Sequence, residues 1–245
     1  MPVAFYARTL LARLRQFWTQ LENRDLGALA IMLLVSAMLF GFAKLASEVM
    51  EGETDAFDRA ILLAFRTPGD VSRPLGPAWI EVIFRDLTSL GSLPVVSIVA
   101  AAVLGFLWVT GRHSSARLVL VSVAVGALLS VALKLPFQRP RPVLFPHGVE
   151  ATLTSFPSGH ATLAAVVYLT LGVLLAREQT RSRVSSYCIA VAITLTLLVG
   201  TSRVYLGVHW PTDVLAGWCV GAAWAILCLL GATALERRRS HHLTD

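Results

Sequence analysis

Six stretches of the chain contain no Asp, Glu, Lys or Arg: residues 26–43, 87–111, 118–133, 151–176, 184–202 and 214–235. Crossing about 30 Å of hydrocarbon takes roughly 20 apolar residues in a helix. In lipid only a helix or a closed barrel satisfies every backbone polar group. Each stretch holds an apolar core of that size, so the predicted fold is all-α, a polytopic membrane protein with six transmembrane helices. Composition agrees: 56% of the 245 residues are hydrophobic and 15% are charged, where a soluble domain carries about a quarter charged. That excludes a soluble enzyme, a disordered chain and a disulfide scaffold. A net charge of +6 would suggest nucleic acid in a soluble protein. Here it suits basic loops meeting anionic headgroups, so the predicted partners are membrane lipids and not nucleic acid.

The shortest stretch, 118–133, must borrow Ser114–Ala116 and let Arg117 snorkel to span. Ahead of the first stretch, Tyr6, Leu10, Leu14, Phe17 and Leu21 recur at helical spacing. Residues 1–25 are therefore predicted to form a cytoplasmic amphipathic segment rather than a cleavable signal. Residues 26–236 form the six-helix domain and 237–245 a basic tail. Six spans put both termini on one side. That side carries twelve basic residues against five acidic, the other eight against ten. The positive-inside rule then predicts cytoplasmic termini. Between the first two spans, 55–65 and 78–90 show apolar residues at three- and four-residue spacing, separated by Pro74, Gly76 and Pro77. Both are predicted to be short amphipathic helices on the outer face. Cys188, Cys219 and Cys228 fall inside apolar stretches and are read as small buried hydrophobes.

Three polar clusters lie on the outer side in this topology: Lys134–Pro142 (KLPFQRPRP), Phe156–His160 (FPSGH) and Ser202–Asp213 (SRVYLGVHWPTD). Each alone has an ordinary reading. A Lys and an Arg beside a span anchor it at the interface. Pro157 suits a first helical turn, and Ser158 or Ser155 suits a cap. Asp213 at a helix start complements the dipole. Lysine is scarce, however: Lys44 and Lys134 are the only two among 21 basic residues.

Together the clusters have the physics of a phosphate site. The start of span four offers free N–H groups, and Gly159 lets a ligand oxygen approach. Lys134, Arg141 and Arg203 supply up to three positive charges for a phosphate and its transition state. One neutral imidazole can attack phosphorus while a protonated one gives its proton to the leaving oxygen. His209 and His160 are available for those two tasks. Asp213 is spaced to accept the other ring N–H of His209. No carboxylate cluster is required, so no metal is implied.

Lys134-x6-Arg141-Pro142, Pro157-Ser158-Gly159-His160 and Ser202-Arg203-x5-His209-x3-Asp213 resemble, in order and without a departure, the three-part signature of the type 2 phosphatidic acid phosphatase (PAP2) superfamily. The resemblance covers the six-helix layout and leaves out the first 25 residues. It implies His209 as the nucleophile forming a phosphohistidine, Asp213 as its partner and His160 as the acid. It also implies Lys134, Arg141, Ser158, Gly159 and Arg203 around the phosphate, with no cofactor. Arg139-Pro140 is a second Arg-Pro pair, two residues short of the motif spacing, so Arg141 is preferred. The expected protein is a lipid phosphatase of a bacterial inner membrane with its site facing the periplasm. Expected substrates are undecaprenyl diphosphate or phosphatidylglycerophosphate, with phosphatidic acid and lipid A phosphate also open. Two alternatives are a lipid-phosphate binder or carrier, which needs no nucleophile, and a vanadate-dependent haloperoxidase, which the apolar stretches oppose.

Overall fold

The computed structural model describes residues 23–142 and 154–241. The predicted amphipathic segment up to residue 22 lies outside them. Eight helices and one hairpin follow in order: α1 (Asn23–Glu51), α2 (Asp55–Ala64), β1 (Arg66–Thr67), β2 (Asp70–Pro74), α3 (Ala78–Ser89), α4 (Leu93–Val109), α5 (His113–Ala132), α6 (Gly159–Arg177), α7 (Ser182–Tyr205) and α8 (Pro211–His241). The chain divides into two units, Met1–Ala37 and Met38–Asp245. Of the first, the described part is the opening of α1. All that follows concerns the second unit, apart from the length of α1.

Among the described residues, five helices are long and apolar enough to cross a membrane: α1, α5, α6, α7 and α8. Helices α3 and α4 meet at a bend of 50° and pass the same test only as a pair, which makes a sixth span if the two are one broken crossing. The protein is thus a multi-pass membrane protein with five to six candidate spans. The α3–α4 elbow is tightly seated. A Cβ on Gly91 would lie 2.4 Å from Val199 Cγ1 and 3.0 Å from the His160 carbonyl oxygen, and Tyr168 Oη donates to the Leu90 carbonyl at 2.7 Å.

Helix α6 is the centre of the bundle and packs most extensively on α7 and α8. The hydrophobic effect does not separate helix from lipid tail, so close backbone approach and interhelical hydrogen bonds must hold the bundle. Both are present. A Cβ on Gly221 of α8 would sit 2.5 Å from the Thr162 carbonyl oxygen, and one on Gly217 2.8 Å from that of Ser158. Any side chain at either position would push α8 off α6. Between α5 and α6, Ser122 Oγ and Thr170 Oγ1 are 2.9 Å apart. Trp224 Nε1 donates to the Ser122 carbonyl at 2.9 Å.

Three expectations need correcting. The fourth apolar stretch becomes helical only at Gly159, because Pro157 and an extended Ser158 precede the helix. Residues 154–158 build the site instead, so Pro157 does not occupy the first turn and neither serine side chain caps α6. The outer segment holds its two helices and also an antiparallel hairpin, β1 with β2. Gly69, at φ +86°, turns the hairpin in a conformation that a side chain would strain. The hairpin is tied to α7: Arg66 Nη2 donates to the Tyr205 carbonyl at 3.0 Å, and Tyr205 Oη to that of Leu75 at 2.9 Å. Finally, Cys188, Cys219 and Cys228 are free and half-buried rather than core residues. The expectation for span three holds, with α5 starting at His113 and Arg117 exposed.

Candidate active site

The loop after α5, the start of α6 and the junction of α7 with α8 converge at one end of the bundle. Lys134 follows the last turn of α5 and is buried, with Nζ donating to the Thr154 carbonyl at 3.0 Å. Its stem passes the first residue of α6. A Cβ on Gly159 would meet Lys134 Cε at 3.7 Å and Ser130 Oγ at 3.3 Å. Arg203, in the last turn of α7, reaches back to the elbow, where Nη1 donates to Thr88 Oγ1 at 2.9 Å. Ser158 Oγ and Arg203 Nε are buried with no hydrogen-bond partner among the described residues. Orphaned buried polar atoms are rare and costly, and two in one place mark where a ligand's acceptors can go.

The cations also repel one another. Burial first, then Arg141 and Arg203, push the Lys134 amine down to about 8. Burial likewise lowers the Arg141 guanidinium, against the pull of Asp213. An anion among these groups would relieve the repulsion. His160 is half-buried in the first turn of α6.

His209 lies opposite, buried in the α7–α8 junction. Arg141 Nη1 donates to the Val208 carbonyl at 2.8 Å and approaches His209 Nε2 at 3.0 Å. Nε2 is therefore the acceptor, and the ring proton belongs on Nδ1, which lies 3.3 Å from Asp213 Oδ2. Burial pushes this imidazole down to about 3, in spite of the opposing hydrogen bond and charge of Asp213. Burial thus favours the neutral ring, whose Nε2 lone pair faces Arg141. Asp213 is fully partnered. Oδ2 accepts from Ser155 Oγ and from the Trp210 N–H at 2.9 Å, and Oδ1 accepts from Arg139 Nη1 at 2.8 Å. The Ser158 N–H donates to the Asp213 carbonyl at 2.9 Å, which ties the two strands of the site together.

Residues 115–237 match the model of the PAP2 superfamily. The chain belongs to this superfamily. It is 32% identical over 195 residues to phosphatidylglycerophosphatase B of Bacillus subtilis, covering 76% of this chain and 88% of that one. It is 34% identical over 149 residues to an undecaprenyl-diphosphatase of Sulfolobus acidocaldarius, covering 59% and 58% of the two chains. The crystal structure of a transmembrane PAP2-type phosphatidylglycerolphosphate phosphatase from Bacillus subtilis superposes with a TM-score of 0.67 at 25% identity. The superposition covers 85% of this chain and 96% of that one.

The structure brings together all eight residues singled out in the PAP2 signature: Lys134, Arg141, Ser158, Gly159, His160, Arg203, His209 and Asp213. Five contributors went unrecognised in the sequence. Ser155 was considered only as a cap, yet it binds the Asp213 carboxylate. Arg139, the first Arg of the RPRP run, points away from the cations and holds Asp213, Thr212, Asp58 and Thr54. Asp58 and Thr54 come from the outer segment, where no motif marks them.

Proposed function

We propose that this PAP2 protein hydrolyses a lipid phosphate through a phosphohistidine on His209. The observation that carries the reading is the pair of contacts on the His209 ring, which assigns its tautomer. Nε2 is an acceptor beside Arg141, while the ring N–H faces Asp213. In the first step Nε2 attacks phosphorus, the P–N bond forms and the P–O bond to the leaving group breaks. His160, in its protonated form, gives its proton to that oxygen. Asp213 stabilises the positive charge that develops on His209. Lys134, Arg141, Arg203, the Ser158 hydroxyl and the N–H groups at the start of α6 hold the equatorial oxygens. In the second step water attacks the phosphohistidine, His160 takes its proton, and phosphate leaves with His209 neutral again. Charge stabilisation comes from these cations, so the reaction needs no metal.

The membrane-spanning helices support a lipid as the substrate, and the relatives' names support phosphatidylglycerophosphate or undecaprenyl diphosphate ahead of phosphatidic acid or lipid A phosphate. Phosphate release by the detergent-solubilised protein, measured over that panel with and without EDTA, tests the reading. Turnover of at least one lipid phosphate, unaffected by EDTA, is expected. Binding without turnover, or activity lost to chelation and restored by one metal, would overturn it.

The charge split between the two faces supports cytoplasmic termini and a periplasmic site in a bacterial inner membrane. A reporter fused after Arg238 should then read cytoplasmic and one inserted near Glu53 periplasmic; the reverse pattern would move the site to the other face.

A further inference from the structure

No motif marks Asp58. It lies in the first turn of α2 and is fully buried, as is Leu62 one turn later on the same face. Leu62 belongs to an apolar cluster with Ala161, Val204 and Val214. An amphipathic helix seated by such a face has no structural need of a buried carboxylate there, and burying one is costly. Asp58 is nevertheless completely satisfied. Oδ2 accepts from Arg139 Nη2 at 2.6 Å and from Thr212 Oγ1 at 2.6 Å, and Oδ1 accepts from the Thr212 N–H at 2.9 Å. The second arm of Arg139, Nη1, donates to Asp213 Oδ1 at 2.8 Å. The Arg139 side chain is 9% exposed, while those of Asp58 and Asp213 are both at 0%.

Two buried carboxylates therefore share one guanidinium. The trio carries one net negative charge, and Asp213 turns its other oxygen to His209. Without Asp58, the guanidinium would be shared only with the solvent-exposed Asp55, 3.7 Å from Nη2, and Arg139 would largely neutralise Asp213, leaving little to balance the positive charge that His209 gains when its Nε2 bonds phosphorus. We propose that Asp58 is a positioning residue for the reaction: by sharing Arg139 it keeps the negative charge of Asp213 available to His209. The outer-face helix α2 is thereby part of the catalytic apparatus, although it never touches the phosphate. This rests on His209 acting as the nucleophile.

The test uses the full-length protein in detergent with a lipid phosphate it hydrolyses, and rates are taken per folded molecule. Asp58→Asn keeps the shape and removes the charge. It should lower kcat by about 10–100-fold, the usual range for a residue that orients an active group from behind, and leave KM unchanged. The double variant Asp58→Asn/Arg139→Gln removes the pair and restores one net negative charge on Asp213. Its kcat should exceed that of Asp58→Asn and lie within about tenfold of wild type, a non-additivity expected only of groups acting as a unit. A merely structural network predicts the opposite order, with the double variant worst. Unchanged kcat in Asp58→Asn, a rise in KM alone, or a double variant below the single one overturns the proposal. If Asp58→Asn does not fold, the double variant decides alone: kcat more than about 100-fold below wild type rejects the idea. Full activity of His209→Ala would instead reject the nucleophile on which the proposal rests.

Discussion

The two halves of the site are built in opposite ways. Around Asp213 every polar atom has a partner: Ser155, the Trp210 N–H, Arg139 and His209 converge on one carboxylate. Around the start of α6 the bookkeeping is left open. Ser158 Oγ and Arg203 Nε are buried without partners among the described residues, and burial and neighbouring cations outweigh the pull of Asp213 on Lys134. A closed network fixes one geometry for a group that must not move, here the imidazole. An open, cationic one is costly by itself and becomes favourable when an anion fills it. On the proposed mechanism, the first half is organised for the nucleophile and the second for what it attacks.

The largest expected effect comes from removing the focus of the closed half. His209→Ala should reduce hydrolysis of every substrate to background, because no phosphoenzyme can form. His160→Ala, across the cleft, should discriminate between leaving groups. A lipid alcohol needs its proton in the transition state, so its rate should fall by about 10²–10⁴. An aryl phosphate such as p-nitrophenyl phosphate, whose leaving group is stable as an anion, should suffer much less. Equal losses on both substrates for both variants would dissolve the assigned division of labour.

A smaller effect concerns the open half and pH. The folded-state pKa of Lys134 is lowered to about 8 by burial and by neighbouring cations. The amine is therefore charged below that value and neutral above it. Affinity for sulfate, a tetrahedral dianion throughout this range, should weaken as pH rises through about 8 and be accompanied by proton uptake. Calorimetric titration in buffers of different ionisation enthalpy measures both. Lys134→Met should bind more weakly at pH 7 and show a flat profile there. A wild-type affinity that does not change between pH 7 and 9 would count against Lys134 as a ligand.

The smallest effect pits two serines three residues apart against each other. Ser155→Ala removes a donor from a buried carboxylate and should cost stability, about 1–3 kcal/mol by thermal unfolding. Ser158→Ala removes a hydroxyl with no partner, so it should leave stability within about 0.5 kcal/mol while raising KM. The same response from both would erase the contrast between the halves.

The open half was legible in the sequence and the closed half mostly was not. Lys134, Ser158, Gly159, His160 and Arg203 stand at helix ends, where hydropathy breaks show them and local spacing fixes their direction. His209 and Asp213 are one turn apart, so their pairing follows from periodicity alone. Asp58, by contrast, meets Arg139 across 81 residues and Thr212 across 154, and its own helix reads as an ordinary amphipathic one. Arg139 was visible as a second Arg-Pro, but spacing does not reveal that its guanidinium turns away from the cations. The break between α3 and α4 was half visible, since 78–90 reads as a helix of its own, but the charge-free stretch 87–111 runs through Gly91 and does not show where the span begins. The hairpin had a usable signal in Pro68-Gly69, masked by the helical periodicity on either side.

The central claim is that His209 is the atom-bonding partner of phosphorus. Rapid mixing of the enzyme with a lipid substrate labelled in the transferred phosphate, followed by quenching in alkali, measures this directly. A nitrogen–phosphorus bond survives base, whereas a phosphoserine ester does not survive it well. Label recovered on the peptide containing His209, accumulating when breakdown is slowed and absent in His209→Ala, is the predicted result. Label on any other residue, or turnover with inversion at phosphorus and no trapped label, would contradict the account.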